Sequence, residues 1–297
     1  MNKTIEQIQN LTFGVELEYE NISRERAAKA IHSVVGGRVN YDGGGYETWT
    51  VYAPDGRQWK AVRDGSLGRL SAEVVTPILK WEDMDTLQEI VRALRKAGAK
   101  ATEAGSQHVH IGTAGWTPQN VANFARIFYK QERLVLKALG TLESRLTHYT
   151  RPTDREFIGR LEAIKPKTKS ELNRAWFGTE TPNPNHYHST RYRAVNLVNY
   201  FMASGTIELR AANASTHAGE VKSVCCLALA IAAFAKRAKC ASSKNQREYS
   251  EASAKYDFRV WMLRLGLIGP EFKNVRTHLL KRLPGSSAWK NGRPEER

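Results

Sequence analysis

The sequence predicts an α+β protein, on three observations. Strand-like and helix-like segments follow one another in mixed rather than regularly alternating order, which is not the pattern of a parallel βαβ protein. Two stretches read as hairpins. Three strand-like segments carry paired ionisable side chains at alternate positions: Glu16 and Glu18 in FGVELEYE, His108 and His110 in HVHIG, Glu208 and Arg210 in TIELRA. Residues two apart in a strand point to the same face, so each pair projects from one side of a sheet. The apolar partners fix the phase. Phe13, Val15, Leu17 and Tyr19 oppose the glutamates, Val109 and Ile111 the histidines, Ile207 and Leu209 the Glu208/Arg210 pair. If these faces share a sheet, carboxylates, imidazoles and a guanidinium converge into a site for metal and phosphate.

Each element has its own signal. Thr12 to Glu20 reads as a strand, and Arg24 to Val35 as a helix with Ala27, Ala30, Ile31 and Val34 on one side, stopped by Gly36 and Gly37. Asp42-Gly-Gly-Gly and Pro54-Asp-Gly are turn signals around a strand from Tyr46 to Tyr52, with the next strand at Trp59 to Arg63. Ala72 to Thr76 is another short strand, ended by Pro77. Met84, Leu87, Ile90, Val91 and Leu94 recur at helical spacing before a cap at Gly98. After HVHIG, Thr117-Pro118 opens a helix whose stripe of Val121, Phe124, Ala125, Phe128 and Val135 runs to about Gly140. From Thr150 to Thr190 the chain turns polar and proline-bearing, with short helices at Arg155 to Ile164 and Ser170 to Phe177. A stretch of this kind inside a compact domain is usually functional or disordered. Ala194 to Phe201 and Thr206 to Ala211 form the second hairpin, in which Asn196 can face the side of Glu208 and Arg210. Val221 to Arg237 is a strongly apolar helix, and Phe258 to Leu267 a shorter one.

Composition bounds the class. With 297 residues, 41% hydrophobic and 25% charged, the chain has the make-up of an ordinary globular protein. The longest apolar run, Val224 to Phe234, is about half of the roughly 20 residues a membrane span needs, so no span and no membrane partner are expected. MNKTIEQIQN lacks the apolar core of a secretory signal, and Cys225, Cys226 and Cys240 make no disulfide framework, so a cytoplasmic location is expected. The formal charge is +15, and the stretch from Lys236 to Arg297 holds fifteen Lys/Arg against six Asp/Glu, which supplies nine of it. Such a region is either a solvated basic surface or a surface for nucleic acid or another acidic polymer.

The hard oxygens of a Glu-x-Glu pair suit Mg²⁺, above all where nucleotide phosphates complete the shell. Like charges this close need a cation; without one, at least one carboxylate pKa rises. His-x-His also suits Zn²⁺ or iron. Glu208 next to Arg210 offers a metal ligand beside a phosphate clamp, or a salt bridge of little consequence if exposed.

The order FGVELE, DGSL with a following EVVTP, HVHIG, RYRAVNL and TIELRAAN resembles the amidoligase family of carboxylate-amine ligases, within the glutamine synthetase and glutamate-cysteine ligase superfamily. The resemblance runs from about Phe13 to Asn213. It implies a curved, mainly antiparallel sheet of the glutamine synthetase catalytic type, flanked by helices, that binds ATP and Mg²⁺, with Mn²⁺ as an alternative. By that analogy Glu16, Glu18, Glu73, His108 and Glu208 hold metal, and His110 and Arg210 sit near the transferred phosphate. Arg191, Arg193 and Asn196 bind substrate carboxylate or phosphate, and Asp64 and Ser66 in RDGSL reach the site rim. Arg145 in ESRLTHY matches the family's arginine after the long helix, although a surface arginine fits as well.

Residues 1–240 are expected to form the amidoligase-like catalytic domain, with the polar stretch 150–190 as a lid or substrate loop, and 241–297 a basic helical extension packed on or appended to it. The implied reaction joins a carboxylate to an amine, the carboxylate first being activated by ATP as an acyl phosphate. Two other classes stay open from the residues alone: a metal-dependent hydrolase or oxygenase using the His-x-His pair with a glutamate, and a nucleic-acid-binding protein on an inactive ligase fold.

Overall fold

The computed structural model describes residues 3–242 and 246–292, so parts of the basic extension, at 243–245 and 293–297, lie outside the described residues. The chain opens with helix α1 (Lys3–Gln9) and strand β1 (Phe13–Glu20), then α2 (Arg24–Val35), β2 (Arg38–Gly43), β3 (Thr48–Tyr52), β4 (Gln58–Val62) and β5 (Ser71–Val75). Next come α3 (Met84–Lys96), β6 (Ser106–Gly112), α4 (Pro118–Leu139), α5 (Glu143–Thr147), α6 (Arg155–Ile164) and α7 (Lys169–Phe177). The remainder is β7 (Val195–Asn196), α8 (Val198–Phe201), β8 (Thr206–Asn213), α9 (Ala218–Arg237), α10 (Ala254–Leu265) and α11 (Lys273–Leu280).

The strands form one eight-stranded sheet in the order β2-β3-β4-β5-β1-β6-β8-β7, and every neighbouring pair is antiparallel. Burial in β1 alternates as read from the sequence from Phe13 to Leu17, and Glu18 is buried as well. Phe13, Val15, Leu17 and Tyr19 are buried on the helix-covered face, and Gly14, Glu16 and Glu18 belong to the other. On the apolar face α2 packs on β2 to β5, α9 on β6, and α4 on β8; α3 and α11 pack outside against α9. Burying one face while leaving the other free for polar groups is what an antiparallel sheet permits.

Local chemistry sets the helix ends. Thr117 caps α4 through a reciprocal pair with Asn120, Pro118 takes the first helical position, and Gly140 ends it in the left-handed conformation. By length and composition α9 is apolar enough to cross a membrane, but its apolar side chains are buried between α3, α4, α11 and β6, as in a central core helix.

Four differences from the sequence reading have physical causes. β2 is mostly exposed and lacks an apolar stripe, so periodicity does not reveal it. α1 and α11 are only seven and eight residues long. The strand expected over 194–201 stops at Asn196, whose side-chain oxygen accepts the Val198 N–H at 2.8 Å and turns the chain into α8. The polar stretch 150–190 is largely docked: Phe157 meets Trp176 edge-on, and Arg126 of α4 donates to the Leu161 carbonyl of α6. Beyond residue 240, α10 and α11 pack against α9 and α4, and Phe258, Trp261, Leu265, Val275 and Leu279 join the same hydrophobic core.

Candidate active site and metal centre

Ladder register assembles the site. Directly opposite residues of an antiparallel pair lie on the same side of the sheet. Glu18 stands opposite Glu73, Glu16 opposite His108, His110 opposite Glu208, and Glu208 opposite Asn196. Between β6 and β8 the register shifts, so that Arg210 and Ala211 together stand opposite His108. Four ladders thus collect Glu16, Glu18, Glu73, His108, His110, Asn196, Glu208 and Arg210 on the face that the helices leave free.

The contacts are close. His108 Nδ1 lies 2.9 Å from Glu16 Oε2 and 3.5 Å from Glu208 Oε1, and its Nε2 lies 2.7 Å from Ser106 Oγ and 4.0 Å from Glu18 Oε1. His110 Nε2 lies 3.1 Å from Glu16 Oε1 and 3.9 Å from Glu208 Oε1. Glu208 is itself gripped from both sides: Arg210 Nη1 donates to Oε1, and the Asn196 amide donates to Oε2 at 2.7 Å. One ligand atom each from Glu16, His110 and Glu208 fall within 4.8 Å of one another, the spacing of a shared cation shell.

Electrostatics divide the carboxylates. Burial pushes Glu208 up, but Arg210, His110 and His108 outweigh it and hold its carboxyl at about 2. Burial likewise opposes ionisation of Glu16, and His110 and His108 win, holding it well below the usual carboxylate range. Glu73 has no such cation. Burial, then the charges of Glu16, Glu18, Asp64 and Glu208, push its carboxyl up to about 9. Burial disfavours the His110 imidazolium, yet Glu16 and Glu208 raise it to about 9. A site that keeps one of its carboxyls protonated at neutral pH carries more acid than its own cations neutralise, and that is the condition a bound divalent cation relieves.

A cleft of about 640 Å³ opens over the cluster. Glu16, Glu18, Glu73, His108, His110, Glu208 and Arg210 line it, and Asp64, Ser66 and Arg191 stand at its walls. Asp64 Oδ1 accepts from the Ser66 backbone N–H at 2.6 Å, the turn chemistry of Asp-Gly. Arg191 lies over the rings of Tyr187 and Tyr192, and its Nε is buried without a hydrogen-bond partner, a donor left over for an anion. Arg193 and Asn196 do not line the cleft. Arg193 donates to the Pro152 carbonyl at 2.8 Å and pairs with Asp154, and Asn196 lies behind Glu208. Arg145 is buried, not a surface residue; it lines the cleft and donates to the carbonyls of Arg210 and Ala212, bracing β8.

A family model described as "putative amidoligase enzyme" matches residues 9–232. The chain belongs to this amidoligase family. Among solved structures, a bifunctional glutathione synthetase from Pasteurella multocida aligns with 94% of this chain and 48% of its own, at 10% sequence identity and a TM-score of 0.42. The chain thus spans about half the length of that protein. A search of curated proteins finds no match.

Several groups in this amidoligase site escape the motifs. Lys60, Tyr46, Tyr149, His186 and Asn199 line the cleft. Lys60 had a signal, since Trp59 and Ala61 are its buried neighbours in β4 and alternation sends it to the polar face. Tyr46 and Tyr187 meet across the mouth, hydroxyl to hydroxyl at 2.6 Å, from loops 141 residues apart, a contact no local pattern announces. The described residues offer a second potential ligand group, His217, Glu220 and His278. Its carboxylate is already taken by Lys281 and Arg282, and it sits in the first turn of α9, where the helix end is positive. A cation is better served by the sheet cluster.

Proposed function

We infer that this amidoligase is an ATP-dependent carboxylate-amine ligase whose sheet is of the glutamine synthetase catalytic type. The observation that carries the reading is the convergence of Glu16, Glu18, Glu73, His108 and Glu208 around one over-acidic patch, with Arg210 and Arg191 beside it. That donor set fits Mg²⁺ or Mn²⁺, held by the five residues named. When bound, such ions neutralise phosphate oxygens and fix them for transfer.

The chain's own residues do the rest. Phosphoryl transfer needs positioning and charge neutralisation more than covalent help. Arg210, locked to Glu208, presents a fixed positive charge to a transferred phosphoryl group, and Arg191 offers a second. The carboxylate substrate attacks the terminal phosphorus of ATP, ADP leaves, and the acyl phosphate then meets the amine. The loop carrying His186 and Tyr187 closes one side of the cleft and shelters that intermediate from water.

Turnover with ATP, Mg²⁺, carboxylate pools and hydroxylamine tests the reading, with mass spectrometry for ADP, phosphate and a hydroxamate. A hydroxamate lost in Glu16→Ala and Arg210→Ala is the expected result. No ADP and no hydroxamate from folded, metal-loaded protein counts against it. A second reading, a transition-metal hydrolase or oxygenase, is favoured by the compact trio of Glu16, His110 and Glu208. Tightly held Zn or Fe in purified protein, without ATP turnover, is its signature.

A further inference from the structure

The ligation step needs an amine with a free lone pair, yet an unperturbed primary amine such as that of lysine titrates near 10.4 and is cationic at neutral pH. A proton acceptor must therefore lie on the path by which the amine reaches the acyl carbon. Two cavities share this face of the sheet, the cleft of about 640 Å³ and a neighbour of about 840 Å³. They meet at Glu16 and His110 from the sheet, His186 from the loop before β7, and Asn199 from α8, which line both.

The two cavities differ in charge. The cleft holds both the carboxylate cluster and Lys60, Arg63, Arg145, Arg191 and Arg210, the groups that the ligase reading gives to cations and phosphates, so Mg-ATP fills it. Apart from the junction residues, the lining of the larger cavity carries no charged side chain, from Thr12 and Gly14 to Pro77, Ile78 and Met202. It is the route open to an amine. At its inner end Glu16 and His110, 3.1 Å apart, belong to the cluster that the ligase reading gives to cation and phosphate, and Asn199 has no titratable group.

We propose that His186 is the general base that deprotonates the amine as it passes from the larger cavity to the acyl phosphate in the cleft. The assignment rests on the ligase reading. The charged groups facing His186 are Arg191, Glu208 and Glu16, with Asn199 beside it at the junction of the cavities and the Tyr187 ring 5.1 Å away. Burial and Arg191 hold its imidazole below the usual histidine value, against Glu208 and Glu16, so it is neutral and able to accept a proton at pH 7. In the step, the ammonium gives one proton to the imidazole and its nitrogen bonds the acyl carbon. The carbon-oxygen bond to phosphate breaks, and the departing phosphate takes that electron pair and the second proton of the nitrogen. The imidazolium then returns its proton to water.

The test compares His186→Gln with wild type, using ATP, Mg²⁺ and the carboxylate identified by hydroxamate formation. Two acceptors are offered: hydroxylamine, largely unprotonated at pH 7, and ammonium chloride, almost wholly protonated. The variant is expected to lose about 100-fold in ammonium-derived amide, the low end of general-base effects. Its loss with hydroxylamine is expected to be at least tenfold smaller, and raising the pH from about 7 to 9 should bring back the ammonium reaction. Equal losses with both acceptors, no loss with either, or no recovery with pH would overturn the role of His186 alone. So would a wild type that makes hydroxamate but no amide from ammonium. A wild type that makes neither product brings down the ligase reading, and this assignment with it.

Discussion

Glu18 and Glu73 stand directly opposite each other across the β1–β5 ladder, two acidic side chains on the same side of the sheet with no basic residue between them in register. Like charges in this position are destabilising, and the chain accommodates them by keeping Glu73 protonated up to about 9. The consequence for pH is definite in sign. The folded value exceeds the unfolded one of 4.5, so folded protein binds the extra proton between them and stability falls as pH rises through that window. His110, raised from 6.5 to about 9, adds a loss of the same sign at the alkaline end. Metal-free protein is expected to be less stable at pH 9 than at pH 6 by on the order of 1–3 kcal/mol, with Mg²⁺ offsetting the loss. Glu73→Gln should flatten the slope and weaken the Mg²⁺ response. Urea denaturation at the two pH values, with and without Mg²⁺, measures both; a slope unchanged by the substitution contradicts the account.

Arg210 and Glu208 form a buried pair at the end of the cluster. Removing the cation alone leaves a carboxylate inside the protein, so Arg210→Ala should cost about 3–5 kcal/mol as well as abolish turnover. Because the folded value of Glu208 is about 2, its contribution is complete above the unfolded 4.5 and is lost as pH falls toward 2. Wild type should therefore show an acid limb of instability that Glu208→Gln reduces. Thermal melts across pH 2 to 6, an interval spanning roughly both values, read this out.

Tyr46 and Tyr187, whose hydroxyls meet at the mouth of the cleft, are both exposed. Occupation by Mg-ATP is expected to protect the stretch 182–192 from limited proteolysis. Tyr187→Phe removes only an exposed hydroxyl contact and should leave stability within about 0.5 kcal/mol of wild type. Cleavage at an unchanged rate with and without Mg-ATP argues against closure.

Alternation in β1, β6 and β8 made the polar face legible because side-chain period in a strand is fixed by covalent geometry, so Glu16, Glu18, His108, His110, Glu208 and Arg210 could be placed on one face before any pairing was known. Register could not be read the same way. Whether Glu18 meets Glu73 or a neighbour two residues away depends on turns and on the bulge opposite His108, which are properties of the whole sheet. Arg145 was ambiguous for a related reason: its sequence neighbours are those of a short surface helix, and only β8 passing beside it supplies the carbonyls that bury it. His186 sits in a proline-bearing loop with no periodicity at all, so its approach to Asn199 is a purely tertiary fact.

Asn196 separates positioning from substrate binding. The RYRAVNL motif marks it as a substrate ligand, whereas its amide donates to Glu208 at 2.7 Å, its oxygen accepts the Val198 N–H at 2.8 Å, and it is fully buried behind the cleft. Asn196→Ala orphans a carboxylate oxygen and a backbone N–H together, with an expected cost of about 2–4 kcal/mol. Asn196→Asp keeps an acceptor for Val198 but sets a second carboxylate against Glu208. Its folded pKa must rise above the unfolded value, so the Asp variant should be close to wild type near pH 5 and lose stability as pH climbs toward 8. A substrate ligand would behave differently: KM would rise in both variants while the melting temperature stayed put. Melting curves at the two pH values beside KM for the carboxylate therefore decide which role Asn196 plays, and a pH-dependent loss of stability in Asn196→Asp is the expected outcome.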